Sequence, residues 1–292
     1  MGDTITTNQM IANTIEIFSG RMKAFAALAE TQLRHAHQNQ SEEVKQLSEK
    51  RNASIEVFNN ASTDERERAV AINDYWMQSQ KLALLNSFPQ QDMLAETMFI
   101  SIFSSLDGFL RQLLHQLFTA DPKLVDSDSE KQVDFDHVLN VPREKIIERF
   151  IDKEVESLIR KSYKKNFEAL AKKFNLGTLK QFDSWPQFVE CSQRRNLITH
   201  CGGAVTQQYI DNCKSEGVNL SGVSIGKKLD ISHEYLFRSI DVVTEVGIKV
   251  GQVLLRTRGH EAIAIADSQL GQFLFELLRT VSYTHLTLPT KA

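Results

Sequence analysis

An all-α fold is what the sequence predicts, and three observations predict it. No proline precedes Pro89, and Gly2 and Gly20 are the only glycines ahead of it. Long helices need that, because proline removes a backbone donor and glycine loses the most backbone entropy on folding. Apolar residues recur at three- and four-residue spacing along most of the chain, whereas strand-like alternation is never sustained. The chain has 292 residues, of which 41% are hydrophobic and 24% charged. That is enough apolar material for a sizeable core. A formal net charge of -3 excludes a surface that binds nucleic acid everywhere, so any such contact must come from a local basic patch.

The elements follow in order. Ile11, Ile15, Phe18, Met22, Phe25 and Leu28 mark one helical face. From Gln38 to Asn60 the chain turns polar, with Val44, Leu47, Ile55 and Phe58 as sparse anchors. Ser62 with Glu65 has the spacing of an N-cap and its box partner, and a helix should follow to about Leu85. Residues 1–88 are thus a helical, partly coiled-coil-like region, either a bundle that packs on its neighbour or a sensor or dimerisation arm. A strongly apolar helix is expected from Gln91 to Phe118, buried on most sides. Pro122 and Pro142 punctuate a loop. A helix from Arg143 to Ser157 and a further face through Phe167, Leu170 and Phe174 lead to a stop at Gly177. Ser184 can cap the next helix, and Pro186 fits its first turn. That helix ends on Gly202 and Gly203. A short helix at "TQQYIDNCKSEG", a Gly/Ser-rich connector and a long helix from Ser232 to Thr257 complete a unit spanning 89–258. Residues 259–280 read as the start of a further helical region that continues in a longer chain. Residues 281–292, "VSYTHLTLPTKA", resemble translated adapter sequence and are expected to be non-native.

The start "MGDTITTNQM" has no basic and apolar segments of a signal peptide, and no apolar run approaches the ~20 residues of a membrane span. Three cysteines, Cys191, Cys201 and Cys213, read as reduced thiols. A cytoplasmic protein without a membrane partner is expected. His200 and Cys201 are neighbours, about 100° apart on a helix, and no second pair completes a tetrahedral set. No metal and no cofactor are therefore expected.

The stretch "QRRNLITHCGGAV" at 193–205 carries the chemistry. Asn196 and His200 lie four apart on one helical face, and the long side chain of Arg195 can reach the imidazole. A histidine near neutral pKa can take a proton from a ribose 2′-OH or give one to the leaving 5′-oxygen. An arginine can fork onto the non-bridging phosphate oxygens, and the asparagine can hold the imidazole or a phosphate oxygen. RNA supplies its own nucleophile. The plainer alternative is a helix C-terminus whose cations suit the dipole.

Two further features bear on this site. Asp107 falls on the stripe Phe103, Asp107, Leu110, Leu114, and a carboxylate on an apolar face is costly unless paired. It either orients Arg195 or His200, or sits solvated at the stripe edge. The run "IRKSYKKNFEALAKKF" places Arg160, Lys161, Lys164, Lys165, Lys172 and Lys173 mostly off the apolar stripe. With Arg194 they form either an RNA backbone track or a solvated face.

"RRNLITHCGG" resembles the signature of the HEPN superfamily, whose ribonuclease members carry an arginine, a polar residue and a histidine four to six residues after the arginine. Arg195, Asn196 and His200 match in order and spacing, and Gly202–Gly203 match a subset of that family. Cys201 stands where that subset commonly has asparagine. The spacing alone is weak, since Arg279 and His285 also fit it. The asparagine, the double glycine, the helix end and the preceding apolar helix strengthen the first match. The resemblance covers about Gln91 to Thr257. It implies a HEPN-type helical bundle preceded by the long-helix N-terminal region, acting as a metal-independent endoribonuclease that leaves a 2′,3′-cyclic phosphate and a 5′-OH. It implies His200 as proton carrier, Arg195 as charge stabiliser, Asn196 as orienting group and Asp107 behind them. Arg194, Lys161, Lys164 and Lys165 would then contact RNA. It also implies a homodimer, a toxin or antiphage role, and an antitoxin or sensor partner. The alternative is a non-catalytic HEPN-like module for dimerisation or nucleotide binding.

Overall fold

The computed structural model describes residues 6–60, 62–125, 139–177 and 179–286, with side chains through residue 275. It is all-α. Helix α1, Thr7–Asn59, runs unbroken for 53 residues, about 80 Å at 1.5 Å per residue. The polar stretch from Gln38 does not interrupt it, because it contains neither proline nor glycine. Helix α2, Glu65–Ser87, is capped by Asp64, whose carboxylate accepts from Glu67 N at 2.9 Å. The expected cap at Ser62 is two residues early. Gln40 staples the turn that follows: it donates to Leu85 O at 2.7 Å and accepts from Gln90 N at 2.8 Å.

Helix α3, Gln90–Ala120, is central. Its Phe99, Ile102, Phe103, Leu106, Leu113, Leu114, Leu117 and Phe118 are inaccessible to solvent, each contributing roughly 1.5–3 kcal/mol by burial. Contrary to expectation, the stretch Glu65–Ala120 is long and apolar enough, by length and composition alone, to cross a membrane. Its apolar side chains from Met98 to Phe118 belong instead to the core cluster shared with other helices. After a 3₁₀ turn at Pro122–Leu124 come α4, Arg143–Ile159, and α5, Tyr163–Lys173. The expected loop between them and α3 lies mostly outside the described residues. Helix α5 ends not at Gly177 but at Asn175, which takes a left-handed φ of 50°. Leu176 N then closes on Ala171 O at 2.8 Å, a helix stop asparagine can supply.

Helices α6, Trp185–Cys201, α7, Gln207–Ser215, and α8, His233–Arg256, follow. Ser232 caps α8 by accepting from Tyr235 N at 3.1 Å. The core crosses the boundary expected near residue 88: Ile11, Ile15, Phe18 and Met22 of α1 lie in one cluster with α3 and α8. Helix α9, His260–Leu286, is tied to the same core. Gln252 of α8 donates to Gln269 of α9 at 2.6 Å, and Gln269 donates to Ala12 O of α1 at 2.7 Å. Residues 287–292 of the expected non-native tail, and the side chains of Arg279 and His285, lie outside the described residues.

Candidate functional site

Helices α3, α5 and α6 meet at an aromatic cluster that sets their register. Phe103 of α3, Tyr163 at the start of α5 and Phe188 of α6 form a triangle of ring contacts, with centroids 5.3 to 6.4 Å apart. Phe188 is also stacked on Phe167 at 5.7 Å. Asp107 is one turn beyond Phe103, so it projects from the same face of α3. Arg195 is seven residues beyond Phe188, which returns it to within about 20° of the same line on α6. Packing of the rings therefore carries Asp107, Tyr163 and Arg195 into one neighbourhood.

Within it, the Tyr163 hydroxyl donates to Asp107 Oδ1 at 2.6 Å. Burial pushes the Asp107 carboxyl above the usual range, although the Tyr163 hydrogen bond and the charges of Arg195 and Arg111 pull the other way. Burial, then the Asp107 charge, pushes the Tyr163 phenol well up. Asp107 is thus paired rather than solvated, but with Tyr163, a residue the sequence did not single out. Among the described residues no ion pair joins it to Arg195. The Arg195 guanidinium is half-buried. Its Nη1 donates to Asn196 Oδ1 at 3.2 Å, and its Nε is buried with no hydrogen-bond partner. An unmet buried donor of this kind costs about 1–3 kcal/mol. Asn196 therefore holds the guanidinium, not the imidazole. His200 is exposed and makes no hydrogen bond or ion pair among the described residues.

The double glycine shapes the end of α6. Gly202 and Gly203 take φ of 58° and 81°, a conformation that side chains disfavour. Gly203 N closes on Leu197 O at 3.0 Å. A Cβ on Gly203 would meet the Lys228 side chain at 3.4 Å. The turn sends the chain into a short backbone pairing: Val205 N donates to Lys227 O, and Leu229 N to Gly203 O, each at 3.0 Å. Thr199, His200 and Cys201 are left exposed at the helix end.

Arg194 faces elsewhere. Its Nε and Nη2 reach Glu190 Oε1, each at 2.8 Å, and its guanidinium lies 3.9 Å from the Tyr235 ring centre. Tyr209 of α7 and Tyr235 of α8 donate to the same carboxylate at 2.8 and 2.6 Å. This network fastens α6 to α7 and α8, beside a cavity of about 420 Å³ lined in part by Arg194, Tyr209, Arg238 and Val242. Arg194, expected to contact RNA, thus has its donors engaged within the fold, by Glu190 and by Asp230 O at 3.3 Å. Glu190 could not have been singled out from sequence, since its partners come from three helices.

The basic run divides in the same way. Lys164 is paired with Glu216 at 2.5 Å and reaches Ser215 Oγ at 3.2 Å. Burial pushes the Glu216 carboxyl up, but Lys164, Trp185 and Lys180 outweigh it and hold the group below its ordinary value. Arg160 is paired with Glu156 at 2.6 Å. Lys173 is buried against Glu154 at 2.9 Å. Lys161 and Lys165 are exposed, with no side-chain partner among the described residues. Of the four residues expected to contact RNA, those two are open to it. Lys164 is engaged at the surface, and Arg194 is engaged inside.

Cys191 and Cys213 are buried and Cys201 exposed. Among the described residues no three His, Cys, Asp or Glu side chains are grouped as a metal site would require. Comparison of the chain with protein-family models, with curated proteins and with solved structures gives no match.

Proposed function

We propose that the chain is a HEPN-type, metal-independent endoribonuclease that works as a homodimer. One observation carries this reading. Helix α6 presents an exposed imidazole, His200, that has no partner among the described residues, within two turns of a guanidinium, Arg195, whose Nη1 is held by Asn196 and whose Nε is buried and unbonded among those residues. A phosphodiester suits the pair, since a guanidinium can fork onto non-bridging oxygens while the imidazole handles the proton. The ribose 2′-oxygen attacks phosphorus, the bond to the 5′-oxygen breaks, and the products are a 2′,3′-cyclic phosphate and a 5′-OH. One imidazole accepts the 2′-OH proton. Return of a proton to the leaving oxygen calls for a second one, and His200 of a second copy is its source in this reading. The resemblance to toxin and antiphage nucleases makes an antitoxin or a sensor the expected brake.

The test is incubation of purified protein with mixed RNA and EDTA beside His200→Ala and Arg195→Ala, with end-group analysis of the products. Cleavage to cyclic-phosphate ends in the parent and its loss in both variants supports the proposal. Cleavage that survives in both variants defeats it. A second reading, a non-catalytic module of the same fold, is favoured by one observation: within a protomer no described side chain orients the His200 ring. No cleavage by the parent under any condition, with a dimer retained, decides for the module.

A further inference from the structure

We propose that Tyr163 is a positioning residue: its hydroxyl holds the Asp107 carboxylate and keeps it from closing an ion pair on Arg195, leaving that guanidinium open to a phosphate. The inference rests on the ribonuclease reading for its purpose, though not for its geometry. Asp107 and Tyr163 are joined at 2.6 Å, a short bond of the kind a carboxylate makes with a hydroxyl. Arg195 is close enough for its charge to act on both groups. A carboxylate and a guanidinium in a half-buried setting ordinarily meet in a two-point pair, yet none joins these two among the described residues. The Arg195 Nε is instead buried without a partner, so the edge that would face a carboxylate is unused. The aromatic triangle of Phe103, Tyr163 and Phe188 fixes where the hydroxyl points. The tyrosine ring belongs to the core, while its oxygen does the holding.

The consequence is a specific non-additivity. Tyr163→Phe keeps the ring and removes the hydroxyl, so Asp107 is released onto Arg195. Asp107→Asn removes the charge that would be released. Tyr163→Phe should lower kcat/KM for RNA cleavage by about tenfold, the scale of one lost charge-assisted contact. The double variant should return to within about threefold of Asp107→Asn. Equal losses in Tyr163→Phe and the double variant, or no loss in Tyr163→Phe, overturn the proposal.

A readout independent of cleavage is the Arg195 side-chain Nε–H resonance in a ¹⁵N spectrum, assigned by its disappearance in Arg195→Lys. It should take on the downfield shift and slowed exchange of a carboxylate-bound guanidinium in Tyr163→Phe, but neither in the parent nor in the double variant. Absence of that signature overturns the positioning role whether or not RNA is cut. Its presence in a protein whose parent cuts no RNA upholds the positioning role and removes the ribonuclease reading, so the two failures are distinct.

Discussion

Gly247 of α8 meets the ring of Phe18 of α1 so closely that a Cβ at Gly247 would lie 2.4 Å from Phe18 Cε1. The ring cannot retreat, because it is stacked on Phe109 with centroids 4.3 Å apart. One turn on, a Cβ at Gly251 would lie 2.8 Å from Ile15 Cγ1. The α1–α8 contact is therefore a place where backbone rather than side chain is the packing surface. Gly247→Ala should lower stability by about 1–3 kcal/mol through overpacking. Gly20→Ala, at a helical position with open space around it, should raise stability by about 0.5–1 kcal/mol through helix propensity. Guanidinium denaturation of both variants checks the pair. A Gly247→Ala protein as stable as its parent would mean that α1 is not docked there.

The buried pair of Lys173 and Glu154 makes a second test of packing. Both side chains are about nine-tenths buried, and the lysine also donates to Leu124 O at 2.8 Å and lies over the Phe118 ring. Lys173→Met removes one member of this enclosed ion pair and should lower stability by up to about 3–5 kcal/mol. Lys173→Met combined with Glu154→Leu removes both charges and should recover most of that loss, read from denaturation midpoints. Equal midpoints for the single and double variants would show that the charge at Glu154 is not confined.

Why some of this could be read from sequence and some could not follows from where the information lies. Helix α6 was legible at both ends because its signals are local: Pro186 in the first turn and left-handed Gly202 and Gly203 at the stop. Asp107 was legible as a carboxylate on an apolar stripe, since that conflict is visible along one helix. Its partner was not, because Tyr163 lies 56 residues away and reads as an ordinary aromatic. The Glu190 network was hidden for the same reason, with donors from α6, α7 and α8. Arg194 and Arg195 are adjacent and chemically identical. Only the 100° turn between them sends one to Glu190 and leaves the other with Asn196. The unbroken course of α1 was obscured because its polar half packs along α2, a tertiary fact.

Asp107→Asn should make the protein more stable at neutral pH and no different at low pH. Burial raises the folded-state pKa of Asp107 above the ordinary aspartate value that holds in the unfolded chain. The folded protein thus binds more protons than the unfolded chain through that window, and its stability falls as pH rises. Below the unfolded value both states hold a neutral carboxyl, and the asparagine brings nothing. Thermal midpoints of parent and variant should coincide in acid, diverge as pH rises from the unfolded to the raised folded value, and run parallel above it. A variant less stable than the parent at neutral pH would contradict the assignment of burial as the dominant influence.

The thiols should separate cleanly. Burial, with the Glu190 charge behind it, pushes the Cys213 thiol up to about 12 and raises that of Cys191 as well. Cys201 is exposed at the helix end. A maleimide at neutral pH should label Cys201 alone in the native protein and all three after unfolding, since the thiolate is the reacting species. Labelling of Cys191 or Cys213 without denaturant, read by peptide mass, would show that α6 does not stay packed against α7 and α8.

Arg194 and the pair Lys161/Lys165 should fail in opposite ways. Arg194→Gln breaks a largely enclosed ion pair and leaves Glu190, among the described residues, with its two tyrosine donors, so it should cost about 2–4 kcal/mol of stability. Any effect on RNA should track that loss. Lys161 and Lys165 are exposed, so Lys161→Gln with Lys165→Gln should leave the denaturation midpoint unchanged. If these lysines neutralise two phosphates, the double change should also flatten the dependence of log K on log salt by about 1.4 units for single-stranded RNA. Binding isotherms at three or more salt concentrations give the slope. An unaltered slope returns both lysines to the role of a solvated helix face. A stable Arg194→Gln protein with a reduced slope would instead mean that its guanidinium leaves Glu190 when RNA is bound.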